Sequence, residues 1–188
     1  MDERIPKIID FLKLLDEQQI NYAVGGSFLL MLHDITEDFY DVDILLDIRD
    51  YHKAFSIFRK CPNRIIPKTN PLYQTHTLVK VDYHHVQFDL VFDFKINKEQ
   101  FDYHYPMLQA SGLQLITYHG FDFNVALLEE WYLVYQLIER DEKVKLLERH
   151  FKKNMKESLD YLKQIMSLRN LPINIKIHMQ DYLKDYKL

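Results

Sequence analysis

The chain has 188 residues, a formal net charge of −4 at pH 7, and a composition that is 47% hydrophobic and 14% aromatic. This apolar content excludes an intrinsically disordered protein, and the single cysteine, Cys61, excludes an intramolecular disulfide framework and a cysteine-rich zinc site. No stretch approaches the roughly 18 apolar residues that a membrane-spanning helix needs. We therefore expect a cytoplasmic, soluble protein without a membrane partner.

The first third of the chain predicts alternating helices and strands. Apolar residues recur at helical spacing over residues 4–18, which indicates an amphipathic helix. Residues 20–24 and 42–46 are short apolar runs typical of strands, and residues 28–32 between them form a continuous apolar run that predicts a buried helix. Residues 51–59 have the spacing of a further helix.

The middle of the chain predicts antiparallel strands. Prolines at 62, 67 and 71 favour an irregular segment. Residues 77–82 and 86–94 then flank His84 and His85, which predicts a hairpin with a solvated turn and not a metal site. A second pair of strands is expected at 113–118 and 121–125, around a turn at His119 and Gly120.

From there the pattern is helical to the end. We expect one helix over 126–140, a second over 142–168, and a third that starts at Pro172, where proline is tolerated. The fold class predicted by this order is α+β, with an α+β core over 1–125 and a C-terminal helical region over 126–188.

The distribution of glycine singles out one position. Only four glycines occur in the chain, and two of them, Gly25 and Gly26, are adjacent and precede Ser27 at a predicted strand-to-helix junction. Glycine lets a phosphate approach the free N–H groups of a helix N-terminus, and a serine hydroxyl can donate to a phosphate oxygen. The alternative is an ordinary tight turn with Ser27 as the helix N-cap.

Two aspartates belong to the second predicted strand. Residues two apart on a strand share a face, so Asp41 and Asp43 are expected to point the same way. Adjacent carboxylates repel each other, and a bound divalent cation such as Mg²⁺ removes that repulsion. The alternative is a solvent-facing strand edge that carries charge against aggregation.

A third aspartate lies within a later apolar strand. Asp89 is flanked by apolar residues, and burying its carboxylate is costly unless a partner neutralises it. Asp93 shares the face of Asp89 and is the competing candidate for the functional aspartate of this strand, but it lies nearer the end of the strand.

The order of these elements resembles the nucleotidyltransferase superfamily typified by DNA polymerase beta. The shared pattern is a Gly-Gly or Gly-Ser pair that opens a helix, then Asp-hydrophobic-Asp-hydrophobic on a strand, then an acidic residue on a later strand. The resemblance covers residues 20–95, and the helix over 125–140 resembles the segment that follows this core in small bacterial members. It implies a mixed sheet flanked by helices.

The resemblance also implies roles for individual residues. Asp41 and Asp43 would hold two Mg²⁺ (or Mn²⁺) ions that bridge the triphosphate of an NTP substrate, and Asp89 would complete the second metal site and act as base. Gly25, Gly26 and Ser27 would bind its phosphates. The implied reaction moves an NMP unit onto a hydroxyl of a small molecule, a protein or an RNA.

Two positions depart from the family pattern. Many small members carry an arginine shortly before the Asp-x-Asp strand, whereas residues 34–40 contain none. Many also carry a phosphate-binding lysine on the following helix, where Tyr135 stands here. Arg140 and Lys143 follow within two helical turns and are the candidates to replace it.

These departures leave a second interpretation open. A catalytically weak or inactive member of the same fold could act by binding a protein, for example in a toxin–antitoxin pair, or a nucleic acid. The C-terminal helices would supply the surface, because residues 143–176 carry nine basic residues against three acidic ones.

Overall fold

The computed structural model describes residues 2–106, 113–184 and 186. The helices are α1 (Arg4–Glu17), α2 (Gly26–Leu32), α3 (Tyr51–Phe58), α4 (Leu128–Leu137), α5 (Asp141–Met166) and α6 (Ile173–Leu183). The strands are β1 (Tyr22–Gly25), β2 (Val42–Leu46), β3 (Asn63–Ile66), β4 (Thr77–Tyr83), β5 (Val86–Phe92), β6 (Lys95–Lys98), β7 (Phe101–His104), β8 (Leu113–Tyr118) and β9 (Phe121–Ala126).

Seven of these strands form one mixed sheet in the order β3-β4-β5-β2-β1-β9-β8. Strand β2 lies at its centre, antiparallel to β1 and parallel to β5. Strands β4 and β5 form an antiparallel hairpin, and β9 joins β1 in parallel. Strands β6 and β7 pair with each other in a separate hairpin.

Alternation along β2 and β5 gives the sheet two different faces. Phe88 points to the face covered by α1, where its ring stacks on Phe11 with centroids 4.3 Å apart. Phe92 lies on the same face and contacts Tyr51 of α3. Because successive strand side chains alternate, Asp43 and Asp89 point to the opposite face. That face carries the cleft described below.

Most predicted elements are confirmed, and the α+β class with them. The expected irregular segment after Pro62 was wrong in part, since 63–66 pairs with β4 as an exposed edge strand. The β6–β7 hairpin was missed. Helix α6 begins at Ile173, with Pro172 as its N-cap, one residue later than expected. Both residues of the His84–His85 turn have positive φ, as a two-residue hairpin turn requires.

A buried carboxylate joins the C-terminal helices to the rest of the chain. Glu130 of α4 is 7% exposed. It accepts hydrogen bonds from the hydroxyls of Tyr103 on β7 and Tyr161 on α5, each at 2.6 Å. These two donors satisfy a group that would otherwise be costly to bury.

Within the described residues, none of the helices is long and apolar enough to cross a membrane.

One half-buried histidine makes stability depend on pH. His33 is the C-cap of α2, its Nε2 atom is buried without a hydrogen-bond partner among the described residues, and its ring lies 6.1 Å from that of His150 on α5. Burial, together with repulsion from His150, lowers the pKa of His33 to about 4, while Asp34 opposes this. The folded protein therefore holds His33 neutral at pH values where the unfolded chain binds a proton.

The stability contributed by His33 is expected to rise with pH between about 4 and the unfolded-state value of about 6.5, and to be lost as pH falls through that range. Replacing His33 by Gln should remove this contribution, so that the free energy of unfolding changes less favourably with rising pH than in the wild type, measured by urea unfolding at several pH values. His52→Gln, on the exposed side of α3, is the control. An unchanged slope in His33→Gln would refute this account.

Candidate active site

The face of the sheet opposite α1 and α3 forms the floor of a cleft of about 920 Å³, which is large enough for a nucleotide-sized ligand. Its floor carries Asp43 and Leu45 of β2 and Asp89 and Val91 of β5. Aromatic and aliphatic side chains form much of its walls: Tyr40, Ile66, Tyr73, Phe94, Trp131, Val134, Tyr135 and Ile138.

Strand register brings the predicted aspartates together. Asp43 is directly opposite Asp89 on the parallel neighbour β5, and Asp41 lies two residues before Asp43, just ahead of β2. All three line the cleft. Asp93, the competing choice, lies beyond the end of β5, where its Oδ1 accepts a hydrogen bond from the N–H of Ile48.

The same register places charged residues in a line across the sheet. Arg64 of β3 is opposite Lys80 of β4, Lys80 is opposite Asp89 of β5, and Asp89 is opposite Asp43 of β2. Gly25 of β1 follows Asp43. We call Arg64, Lys80, Asp89 and Asp43 the cross-strand row. Two cations and two carboxylates thus lie side by side. The row ends at Gly25, which has no side chain.

Both glycines are required by the packing around this end of the row. A Cβ atom on Gly25 would overlap the ring of Trp131, and one on Gly26 would overlap the Oδ2 atom of Asp43. Gly26 also has a φ of +64°, in the left-handed region that favours glycine. The backbone therefore approaches the Asp43 carboxylate more closely than any other residue type allows.

Ser27 does not cap α2, so that alternative was wrong: the N-cap is Gly25, and Ser27 lies inside the first turn. Its hydroxyl accepts a hydrogen bond from the N–H of Tyr40 at 3.2 Å and lies 3.5 Å from the carbonyl oxygen of Asp41. Ser27 thus ties the loop before β2 to the glycine turn.

Arg4 of α1 holds the same loop from the other side. Its guanidinium pairs with Asp38, donates to the carbonyl of Phe39 at 2.8 Å and lies over the ring of Phe39. The segment that lacks the arginine expected from the family pattern is therefore positioned by an arginine from the N-terminal helix. No sequence pattern predicted this contact.

The carboxylates of the site destabilise one another. Burial, followed by repulsion from Asp41 and Asp89, raises the pKa of Asp43 to about 7, against the opposing effect of Lys80. Burial also raises the pKa of Asp89, and again Lys80 opposes the shift. Such a site favours a positively charged ligand, because a cation would relieve the repulsion.

Comparison with solved structures shows which fold this arrangement of strands and helices has. The fold is similar to that of a candidate nucleotidyltransferase, TM1012 from Thermotoga maritima, with a TM-score of 0.64 and 18% identity over 80% of this chain and 94% of that chain. The chain has the nucleotidyltransferase fold.

Two antibiotic adenylyltransferases share the nucleotidyltransferase fold with this chain. ANT(2")-Ia, solved in complex with adenylyl-2"-tobramycin, matches with a TM-score of 0.54 and 8% identity over 98% of this chain and 99% of that chain. The lincosamide adenylyltransferase LnuA, solved with lincomycin bound, matches with a TM-score of 0.54 and 15% identity over 76% and 94% of the two chains. No family model and no curated protein matches the sequence.

A nucleotidyltransferase fold implies divalent cations, and the site fits them in part. Asp41 and Asp43 carry the hard oxygen donors that Mg²⁺ prefers, and Gly26 lets the Asp43 carboxylate lie against the backbone of the glycine turn. Both oxygens of Asp89, however, accept hydrogen bonds from Lys80 Nζ, at 2.8 and 2.7 Å. Accordingly, no group of three or more His, Cys, Asp or Glu side chains among the described residues is arranged to hold a metal ion.

The helical wall of the cleft contains the proposed replacements for the family's lysine. Tyr135 is buried on α4 and lines the cleft. Arg140 and Lys143, at the junction of α4 and α5, also line it, together with Lys68 from the segment after β3. Basic side chains therefore line the same cleft as the aspartates.

Proposed function

We propose that this chain is a nucleotidyltransferase that uses Mg²⁺ or Mn²⁺ to transfer an NMP unit from an NTP to a hydroxyl group. The observation that carries the proposal is the pairing of Asp43 with Asp89 at the cleft floor, beside Asp41 and against the glycine turn. The fold of the adenylyltransferases supports it.

The division into a core over 1–125 and a helical region over 126–188 remains a prediction.

The acidic end of the site would hold the cation. Asp41 and Asp43 would bind it, because their carboxylates line the cleft and have no ion-pair partner among the described residues. A bound divalent ion supplies charge neutralisation for the triphosphate and for the oxygens of in-line displacement.

The glycine turn and the basic wall would bind the phosphates. The backbone N–H groups of Gly25, Gly26 and Ser27, around the start of α2, would bind the triphosphate, and Ser27 would offer its hydroxyl proton once the loop before β2 adjusts. Arg140 and Lys143 face this position from the helical wall, where their charges would attract the β- and γ-phosphates. The aromatic walls provide surfaces on which a base can stack.

The transfer step needs a proton acceptor. The acceptor's hydroxyl oxygen would form a bond to the α-phosphorus, the bond from that phosphorus to its bridging oxygen would break, and pyrophosphate would leave. We expect Asp89 to take the hydroxyl proton, since it lines the cleft floor and Lys80 favours its charged form. A small molecule is the acceptor class suggested by the tobramycin and lincomycin in the similar structures.

Nucleotide binding tests this proposal directly. Titration calorimetry with ATP and GTP in the presence of Mg²⁺ should show binding to the wild type, weakened at least tenfold in Asp41→Asn because a negative charge that holds the cation is lost. The folded state of each sample is checked by circular dichroism. Absence of binding by every NTP to a folded wild-type protein would refute the proposed function.

A second candidate function rests on the outer surface of the C-terminal helices. Lys145, Arg149 and Lys152 lie on one face of α5 and line a groove of about 660 Å³ with Lys184 of α6. The acidic residues of this groove already have partners, since Glu148 contacts His178 and Asp181 contacts Lys184. The remaining positive charge favours an anionic partner such as RNA, and binding that weakens steeply with salt would support this alternative.

A further inference from the structure

The cross-strand row contains a cation where a second metal ion would be expected. Lys80 lies opposite Asp89 in the β4–β5 hairpin, and its ammonium donates to both carboxylate oxygens of Asp89 at 2.8 and 2.7 Å. A nitrogen at nearly equal distances from both oxygens occupies the bidentate position of that carboxylate. A metal ion cannot take the same position while Lys80 is there.

The surroundings hold Lys80 in this position. The Asp89 side chain is only 12% exposed, so it needs a positive partner to remain charged. The Lys80 side chain is 35% exposed, and Arg64 lies next to it in the row. Because Arg64 repels the ammonium from one side and the carboxylates attract it from the other, Lys80 is directed toward Asp89.

We propose that the Lys80 ammonium replaces one of two divalent ions, so that the protein without nucleotide binds a single divalent cation through Asp41 and Asp43. This inference rests on the proposed function, because it assigns those two aspartates to a cation site. It adds that Lys80 limits the number of ions and that Asp89 is kept charged by the chain itself. Lys80 is thus a positioning residue for Asp89.

Counting bound Mn²⁺ tests the inference without any measurement of activity. The intensity of the free Mn²⁺ signal in electron paramagnetic resonance gives the number of ions that the nucleotide-free protein binds. We expect one ion for the wild type. Lys80→Met should bind two ions, or bind Mn²⁺ at least tenfold more tightly, because both oxygens of Asp89 become available. Lys80→Arg keeps the charge and should bind one ion as the wild type does.

Matched controls separate this result from a general loss of positive charge. Lys53→Met removes a lysine that pairs with Asp50 outside the cleft, and this variant should still bind one ion. Lys80→Met combined with Asp89→Asn should return to one ion, and the thermal midpoint of each variant shows that it is folded.

Two results would overturn the inference: two ions bound by the wild type, or Mn²⁺ binding by folded Lys80→Met equal to that of the wild type. Failure of the proposed function is a different result. In that case neither protein would bind Mn²⁺ in a manner sensitive to Asp43→Asn.

Discussion

Asp43→Asn is expected to abolish nucleotidyl transfer and at the same time to raise the stability of the protein at pH 8. An amide keeps the shape of the carboxylate but cannot supply the negative charge that binds a divalent cation. Loss of the several kcal/mol that metal-assisted charge stabilisation contributes corresponds to a decrease in rate of about a thousandfold or more. Release of pyrophosphate from ATP in the presence of an acceptor measures this loss.

The gain in stability follows from the raised pKa of Asp43. Its carboxyl has a pKa of about 7 in the folded protein against an ordinary value of 3.8, so the folded state binds more protons than the unfolded state between these values. Wild-type stability contributed by this group therefore falls as pH rises from about 4 to about 7. Since one pKa unit corresponds to about 1.4 kcal/mol, the gain in unfolding free energy should be on the order of 1–4 kcal/mol at pH 8.

Urea unfolding of wild type and Asp43→Asn at pH 8 and pH 4.5 checks both the sign and the size of the change in unfolding free energy. The difference between the two proteins should be larger at pH 8, and the contribution of His33 cancels because both proteins contain it. Asp10→Asn, on the exposed side of α1, provides a control that should change little. A less stable Asp43→Asn at pH 8 would contradict the assignment of like-charge repulsion and burial at this site.

Gly26→Ala is expected to disrupt the site through the backbone. The φ of +64° costs an alanine about 1–2 kcal/mol, and its Cβ atom would overlap Oδ2 of Asp43. The carboxylate or the glycine turn must move to relieve the overlap. Displacement of a reacting group by about 1 Å is enough to lower the rate of transfer roughly a hundredfold.

Gly120→Ala is the matched control for this substitution. Gly120 also has a positive φ, +76°, but a Cβ atom there would meet no atom of the described residues within 4 Å. We expect both variants to lose stability through strain, whereas only Gly26→Ala loses nucleotide binding and transfer. Equal activity of the two variants would show that close approach of residue 26 to Asp43 has no functional role.

Local patterns were sufficient to predict most of the fold. The strand at Val42–Leu46 and the helix at Arg4–Glu17 follow from hydrophobic periodicity. Strand β3 was not predicted, because it is an exposed edge strand between prolines and has no buried apolar face that would produce a recognisable pattern. The β6–β7 hairpin pairs outside the main sheet and has only four residues in each strand, too few for a clear alternation.

The grouping of the three aspartates at one cleft was predictable from the sequence, and Arg140 and Lys143 were named as candidates, whereas Lys80 and Arg4 were missed. The order of the glycines and aspartates pointed to the same cleft that the structure forms. Lys80 was missed, although a two-residue turn at His84–His85 dictates that residue 80 pairs with residue 89. Arg4 could not be found from the sequence, because it reaches the loop before β2 only through packing of α1.

The two-residue turn between β4 and β5 has a consequence for the evolution of this chain. Deletion of a single residue there would shift the pairing by one and reverse the side-chain alternation of β4 relative to β5, because one residue is too short to close the hairpin. Val79 or Val81 would then stand opposite Asp89, and Lys80 would face the apolar layer under α1. Lineages that retain the lysine–aspartate pair should therefore tolerate changes in this turn's composition and an added residue in it, whereas loss of one residue from it should not survive.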